Sequence, residues 1–125
     1  MTGADATESA TVAAVDRFNE AFNSHDVDAI MSCMTEDCVF ENTAPPSGER
    51  FEGQEAVRKC WVELFRASPD AYFEGEDSFI AGDRCTVRWI YHYTDSEGKR
   101  QRLRGVDVFR VRDRKVHEKL AYVKG

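Results

Sequence analysis

The sequence lacks the features that mark secreted, membrane and metal-binding proteins. Its four cysteines form no CxxC motif, and its three histidines show no metal-ligand spacing with a carboxylate. No apolar run approaches the roughly 20 residues that span a bilayer, and no apolar segment with a cleavage site marks a signal peptide. We therefore expect four free thiols, no metal, no cofactor, no membrane partner and a cytoplasmic location.

The sequence also has fewer basic than acidic residues. Seventeen Lys and Arg stand against 23 Asp and Glu, which gives a formal net charge of −6. This balance argues against a nucleic-acid partner. With 125 residues, 42% of them hydrophobic, the chain can bury one core but not two. We expect residues 1–6 to be a disordered N-terminus and residues 7–125 to form a single domain.

The first half of the chain has three segments with apolar residues at helical spacing. The first covers about residues 7–23, and the second is shorter and begins after Asp26. The third opens at Gly53 and ends before Pro69. A short strand at residues 38–42 and a loop containing Pro45 and Pro46 lie between the second and third helices, and this loop could rim a cavity.

The second half of the chain alternates with a period of two residues. It predicts four strands at about residues 71–80, 84–94, 99–112 and 116–123. In the last strand the alternation is not clean: Leu120 and Tyr122 look buried, Ala121 lies on the opposite face, and the orientation stays open. Three helices followed by a curved antiparallel sheet predict an α+β fold with the helices on one face of the sheet.

One strand carries an aspartate where a core residue is expected. Alternation puts Asp107 on the same face as Leu103, Phe109 and Val111. A carboxylate among apolar side chains must be paired, hydrogen-bonded or protonated, and such groups often belong to functional sites. Burial should raise the pKa of Asp107. The alternative is an aspartate that accepts hydrogen bonds and only stabilises the core.

The opposite face of the sheet is predicted to be charged. Alternation puts Glu74 and Glu76 there, where they can meet arginines of the neighbouring strands, while Phe73 and Phe79 share the inner face. His92 also falls on the outer face and is therefore not a catalytic candidate. Three apolar residues interrupt this charged surface, a pattern that predicts a homodimer through the outer face. They are Ile90, Val106 and Val108.

Several short segments are weak signals alone but specific in their order and spacing. They are Arg17-Phe18-Asn19-Glu20-Ala21, Asp37-Cys38-Val39-Phe40, Pro45-Pro46, Phe51-Glu52-Gly53, Ala81-Gly82-Asp83-Arg84, Arg88-Trp89 and Arg104-Gly105-Val106-Asp107-Val108-Phe109-Arg110. Together they resemble the nuclear transport factor 2-like (NTF2-like) superfamily and, within it, the SnoaL-like polyketide cyclase and ketosteroid isomerase group. The resemblance covers nearly everything after residue 8. It implies a cone-shaped, cystatin-like fold in which three N-terminal helices and a curved antiparallel sheet enclose a pocket.

The resemblance also implies roles for single residues. Asp107 matches the strand aspartate that ketosteroid isomerases keep protonated to donate a hydrogen bond to an enolate oxygen. Their oxyanion tyrosine falls on Phe18, and their general-base aspartate falls near Asn42, so neither group is present here. A last-strand carboxylate of limonene epoxide hydrolase-like members falls near Ala121. Steroid isomerisation by the family mechanism is therefore not expected.

We predict that Asp107 is the catalytic residue and acts as an acid or base on a small apolar carbonyl compound. Polyketide cyclase-like aldol chemistry suits a lone carboxylate, because the substrate itself supplies much of the acidity. Two alternatives stay open: non-catalytic binding of a small apolar molecule and a protein-interaction module. Trp61 also has a simpler interpretation as a core residue. The predicted substrate-binding residues are Phe18, Phe40, Asn42, Trp61, Trp89, Tyr91 and Phe109.

Overall fold

A computed structural model describes residues 3–125, with side chains from Ala6 onward. It has three helices, α1 (Gly3–Asn23), α2 (Val27–Ser32) and α3 (Gln54–Ala67). Its six strands are β1 (Met34–Glu41), β2 (Arg50–Glu52), β3 (Tyr72–Ala81), β4 (Arg84–Thr94), β5 (Arg100–Arg112) and β6 (Lys115–Val123). These elements give the predicted α+β class. Disorder was predicted for residues 1–6. Residues 1 and 2 lie outside the described residues, and from Gly3 onward the backbone is helical.

The helices form where their apolar stripes and end signals are strongest. Phe18 and Phe22 of α1 are buried at helical spacing against the sheet. Asp26 caps α2, because its Oδ1 accepts a hydrogen bond from Ala29 N at 3.0 Å. Gln54 opens α3, and its Nε2 donates to the carbonyl oxygens of three residues around the start of β1. These contacts fix α2 and α3 relative to the sheet edge. Among the described residues, none of the helices has the length and hydropathy needed to cross a membrane.

The strands form one sheet in the order β2-β1-β6-β5-β4-β3. β3 to β6 are the predicted antiparallel meander. β1 then pairs with β6 in parallel, and β2 pairs with β1 at the edge. The sequence did not predict β2, which has three residues, or the parallel pairing, because such short strands carry little periodicity.

A bulge in β3 overturns one prediction about the sheet faces. The register of β3 against β4 shifts between Gly75 and Asp77. An extra residue in one strand moves every later side chain to the other face. Phe73 lies opposite Tyr91 on the inner face, whereas Phe79 lies on the outer face and is 61% exposed. The prediction that Phe73 and Phe79 share a face is therefore wrong.

A second shift orients β6, which the sequence left open. The register of β5 against β6 changes between Arg110 and Val111. Lys119 then lies opposite Phe109, on the inner face that the helices cover. Tyr122 points the other way and is 55% exposed, so its expected burial is wrong. The bulge thus brings a lysine into the interior of the domain.

The outer face carries ion pairs. Arg104 Nη2 lies 2.6 Å from Glu76 Oε2, and Arg88 Nη1 lies 3.1 Å from Asp77 Oδ2. All four side chains are substantially exposed. The pair with Glu76 agrees with the predicted alternation. The pair with Asp77 was not predicted, because alternation from Phe73 puts Asp77 on the inner face and the bulge in β3 moves it to the outer one.

Candidate functional site

A cavity of about 130 Å³ lies between α1, α3 and the inner face of the sheet. Six of its thirteen lining residues are aromatic, and Lys119 contributes a charged side chain. An engineered apolar cavity on the order of 150 Å³ accommodates benzene. The space therefore suits a compound with a single ring. The aromatic lining residues are Phe22, Phe40, Trp61, Phe73, Trp89 and Tyr91.

Most of the predicted binding residues lie at this cavity. Phe40, Asn42, Trp61, Trp89 and Tyr91 all line it, although they come from three different parts of the chain. β1 and β4 project their inner-face residues toward it, and α3 supplies Trp61 from its buried stripe. The sheet and helix therefore converge on one space, and the role of these residues in binding stays a prediction.

Two of the predicted binding residues lie behind the wall rather than in it. Phe18 and Phe109 are completely buried and are not part of the cavity lining. Their ring centroids are 5.6 Å apart, and Phe18 also meets Trp61 edge to face at 6.2 Å. They support Trp61 through the aromatic packing of the core.

Asp107 is buried beside the cavity and is paired with a residue that the sequence analysis did not name. Its Oδ1 accepts a hydrogen bond from Lys119 Nζ at 3.0 Å. Both residues are 2% exposed. Asp107 is not in contact with the cavity, but Lys119 is. The group that a ligand would meet is therefore the Lys119 ammonium, with Asp107 behind it.

Aromatic rings surround the Lys119 ammonium. Nζ lies 5.0 Å from the ring centroid of Phe40, 5.4 Å from that of Phe73 and 5.8 Å from that of Trp61. Cation–π attraction at such distances partly replaces the lost hydration of the charge. Within the described part of the chain, Nζ makes one hydrogen bond, the one to Asp107. Two of its three N–H groups are thus without a hydrogen-bond acceptor.

The environment of Asp107 acts on its pKa in two directions. Burial raises the pKa, as predicted, and the charge and hydrogen bond of Lys119 oppose this rise. The indole of Trp89 also lowers the pKa, although its Nε1 makes no hydrogen bond of normal geometry. Because both partners are removed from water, the pair can exist as ammonium and carboxylate or as amine and carboxylic acid.

Two other side chains of the cavity wall can donate a hydrogen bond. The buried Nε1 of Trp61 has no partner among the described residues. Burial raises the pKa of Tyr91 to about 12, so its hydroxyl keeps its proton near neutral pH. Together with the two unpaired N–H groups of Lys119, these donors favour a ligand that offers an acceptor, such as a carbonyl oxygen.

Asn42 lines the cavity, but its amide is used by the loop after β1. Oδ1 accepts hydrogen bonds from Ala44 N at 3.1 Å and Glu49 N at 2.8 Å. Nδ2 donates to Glu49 Oε1 at 3.2 Å. The side chain therefore shapes the loop, and its polar atoms are already engaged without a ligand.

The sequence matches the model of the SnoaL-like domain over residues 15–119. This match covers most of the chain and agrees with the resemblance drawn from its motifs. The chain belongs to the SnoaL-like domain family. None of the curated proteins matches it.

Solved structures extend this relationship. The SnoaL-like domain is 38% identical to an NTF2-like protein of unknown function from Mesorhizobium loti, with 94% of this chain and 93% of that chain covered and a TM-score of 0.79. A candidate polyketide cyclase from Xanthomonas campestris pv. campestris is 20% identical. The alignment covers 94% of this chain and 93% of that chain, with a TM-score of 0.83. A protein with a ketosteroid isomerase-like fold from Catenulispora acidiphila, in complex with trimethylamine, is 14% identical, with 87% and 83% covered and a TM-score of 0.78. At these identities, the likeness to the last two structures establishes only a shared fold.

Small features of the SnoaL-like domain hold its cavity wall in place. Asn23, at the end of α1, exchanges two hydrogen bonds with the backbone of Phe73, at 2.8 and 3.0 Å. Gly105 of β5 leaves room for Trp89, because a Cβ at this position would lie 2.5 Å from Trp89 Cη2 and would collide with Tyr122 O. Each contact fixes the position of one aromatic wall residue.

The histidines of the SnoaL-like domain lie away from the cavity. His92 is on the outer face, as predicted, where its Nε2 lies 2.9 Å from Glu74 Oε1. His117 Nδ1 lies 3.0 Å from the hydroxyl of Thr35. Across the described residues, no group of three or more His, Cys, Asp or Glu side chains is arranged to hold a metal ion.

Proposed function

We propose that this SnoaL-like domain binds a small apolar carbonyl compound and catalyses proton transfer on it. The acid/base group is the Lys119–Asp107 pair, with Lys119 in contact with the substrate. The observation that carries this proposal is the single buried ion pair seen in the described part of the chain, whose ammonium faces an aromatic cavity. Buried charges without a structural need are typical of sites where proton transfer occurs.

The substrate's carbonyl oxygen accepts a hydrogen bond from Lys119 Nζ in this proposal. Its apolar part contacts the aromatic wall, and Tyr91 or Trp61 donates to a second acceptor. A cavity of about 130 Å³ holds a one-ring compound or the reacting end of a longer one. Leu103 and Val123, each 37% exposed, mark where a longer substrate would extend into solvent.

The chemistry follows from the charge of the pair. With the pair in its amine and carboxylic acid form, the neutral Nζ of Lys119 takes the proton from the carbon next to the carbonyl and becomes an ammonium, while negative charge develops on the carbonyl oxygen. The Lys119 ammonium stabilises this charge in a site that excludes water, and it can transfer a proton to the oxygen. Asp107 holds Nζ in position and balances its charge. A substrate with two carbonyl groups supplies much of the acidity itself, so enolisation and aldol-type ring closure are the reactions that suit this site.

The experiment is to follow hydrogen–deuterium exchange at the α-carbon of cyclic 1,3-diones and acetophenone by NMR in D₂O. Wild type should accelerate the exchange, and Lys119→Met and Asp107→Asn should each reduce that acceleration by about 10²-fold or more. Lys115→Met is the matched control, because Lys115 is exposed on the same strand. Circular dichroism confirms that each variant is folded.

Equal exchange rates with all four proteins would overturn the proposed catalysis. Thermal-shift stabilisation by the same ketones without any exchange would indicate a non-catalytic binding site. No stabilisation and no exchange would remove carbonyl compounds as the ligand class.

We further propose a cytoplasmic homodimer. The four cysteines are free, which suits a reducing compartment. The outer face exposes Tyr72, Phe79 and Tyr122 at 41%, 61% and 55%, and a second copy of the chain could cover these side chains. Sedimentation at micromolar concentration tests this proposal, and a species of monomer mass alone would contradict it.

A further inference from the structure

We propose that Lys119 is also a nucleophile and forms a covalent imine with an aldehyde or ketone in the cavity. This inference rests on the proposed function, because it uses the same cavity and the same class of ligand. It goes further by assigning a covalent intermediate to a residue that otherwise only donates a hydrogen bond.

The position of Lys119 meets the first requirement for imine formation, which is contact between an amine and the ligand. Nζ stands at the cavity wall among Phe40, Phe73 and Trp61. Lysines in such apolar surroundings are the ones that proteins use to form imines. The chain's other lysines are exposed and lack these surroundings. They are Lys59, Lys99, Lys115 and Lys124.

Asp107 meets the second requirement, a nearby group that accepts the ammonium proton. Its Oδ1 is 3.0 Å from Nζ, which is the distance of a direct proton transfer. Burial stabilises the carboxylic acid relative to the carboxylate. Transfer of one proton therefore leaves a neutral amine in contact with the cavity and a neutral acid behind it.

The hydrogen bonds of Nζ match the product of the reaction. An ammonium has three N–H groups, whereas an iminium formed with a carbonyl carbon has one. Among the described residues, Nζ donates one hydrogen bond, to Asp107. The two N–H groups lost on imine formation are the two without acceptors, and the retained one keeps its bond.

The overall step is balanced in atoms and charge. The neutral amine attacks the carbonyl carbon, a C–N bond forms, and the carbonyl oxygen takes a proton to give a carbinolamine. The carbinolamine loses its oxygen as water, and the nitrogen keeps one proton and one positive charge. Lysine ammonium plus carbonyl thus becomes iminium plus water. Because the charge is unchanged, Asp107 remains paired and the three aromatic rings still face a cation.

The experiment treats wild-type protein with benzaldehyde and sodium cyanoborohydride, which reduces an imine to a stable benzylamine. Intact mass spectrometry counts the benzyl groups, and peptide mapping locates them. We expect benzylation of Lys119 to be at least about tenfold faster than that of any exposed lysine. Benzyl alcohol, which has no carbonyl, should slow the labelling of Lys119 and leave the exposed lysines unaffected.

Two variants separate this inference from the proposed function. Lys119→Arg keeps the charge and the donors but forms no stable imine, so it should lose labelling while ketones still raise its melting temperature. Lys115→Arg removes an exposed lysine and should label like wild type. If Lys119 of wild type were benzylated no faster than the exposed lysines, the proposal of an imine would be overturned. This result does not depend on whether Lys119→Arg folds. Ketone stabilisation of wild type without such labelling would leave the proposed function standing, and neither stabilisation nor labelling would end both.

Discussion

The two faces of the central sheet both carry ion pairs, but in opposite surroundings. On the inner face, Lys119 and Asp107 are almost completely buried. On the outer face, Arg104 and Glu76 form a pair of similar geometry with side chains 47% and 26% exposed. Water and salt screen the outer pair, so its net contribution to stability is small. The inner pair loses its hydration and depends on its partner and on the surrounding rings.

This difference indicates where chemistry can take place in the domain. An exposed pair has a fixed proton distribution, because water stabilises the charged form of each partner. A buried pair lies closer to proton exchange between its members, since desolvation disfavours both charges. A pair of a cation and a carboxylate can therefore serve structure on one face and proton transfer on the other.

The largest expected effect comes from breaking the inner pair. Lys119→Met or Asp107→Leu alone should lower the free energy of unfolding by about 3–5 kcal/mol, because each leaves a buried charge without its partner. The double variant Lys119→Met/Asp107→Leu should recover most of this loss. Urea denaturation of the four proteins measures these differences.

Lys115→Met serves as the control for loss of a lysine from the same strand and should change the free energy of unfolding by less than about 0.5 kcal/mol. If the double variant were as unstable as the sum of the two single variants, the residues would act independently. The inner pair would then not depend on the pairing of its two charges, and burial would not distinguish it from the outer pairs.

A second effect sharpens the comparison by changing the wall of the cavity and leaving both ions in place. Gly105→Ala should lower the free energy of unfolding by about 1–3 kcal/mol, because the added methyl group collides with Trp89 and with the backbone of β6. It should also weaken ketone stabilisation in a thermal-shift assay. Gly75→Ala is the matched control, because Gly75 also lies in a strand, its φ is outside the left-handed region, and no atom lies within 4 Å of the added methyl group. Normal ketone binding by Gly105→Ala would show that the position of Trp89 does not matter.

The sequence was informative about one half of the inner pair and silent about the other. β4 and most of β5 pair without a register shift, so period-two alternation correctly placed Asp107, Trp89 and Tyr91 on the inner face. The register shift after Arg110 places Lys119 on the same face. A single inserted residue reverses the face of everything beyond it, and no local sequence pattern marks this bulge. Leu120, which looked buried, made its neighbour Lys119 look exposed.

The requirement for a partner was the signal that could have identified Lys119. A buried carboxylate needs a cation or several donors, and Lys119 is the lysine that falls in the middle of β6, the strand after Asp107. An unpredicted bulge also explains the wrong prediction for Phe79, because the bulge in β3 moves this residue to the outer face. The helices were easier to predict, because their apolar stripes extend over several turns. The sequence could not provide the register of the strands, which determines which side chains face the cavity.

A smaller effect is expected at the exposed pair of Asp70 and Arg100. The hydrogen bond from Thr94 lowers the pKa of Asp70 most, and the charge of Arg100 adds to this effect. A pKa lowered by folding stabilises the protein above the unfolded-state value of about 3.9, and this contribution is lost as the pH falls through the folded-state pKa. Asp70→Asn should therefore have a lower melting temperature than wild type at pH 7, and the difference should vanish in acid. A difference that grew on acidification would contradict this assignment.

The smallest effect is expected at the outer pair of Arg104 and Glu76, and its dependence on salt completes the comparison. Glu76→Gln keeps the size of the side chain and removes its charge, so the melting temperature should fall only slightly at low ionic strength. At about 1 M NaCl the Debye length is near 3 Å, and the remaining difference from wild type should disappear. The same salt should leave the destabilisation of Asp107→Asn almost unchanged, because ions do not enter the core around Lys119. Melting curves of both variants at low and high salt measure this contrast. If high salt reduced the two effects equally, the burial of Lys119 and Asp107 would not distinguish them from a surface pair, and the reason for assigning proton transfer to the inner face would be lost.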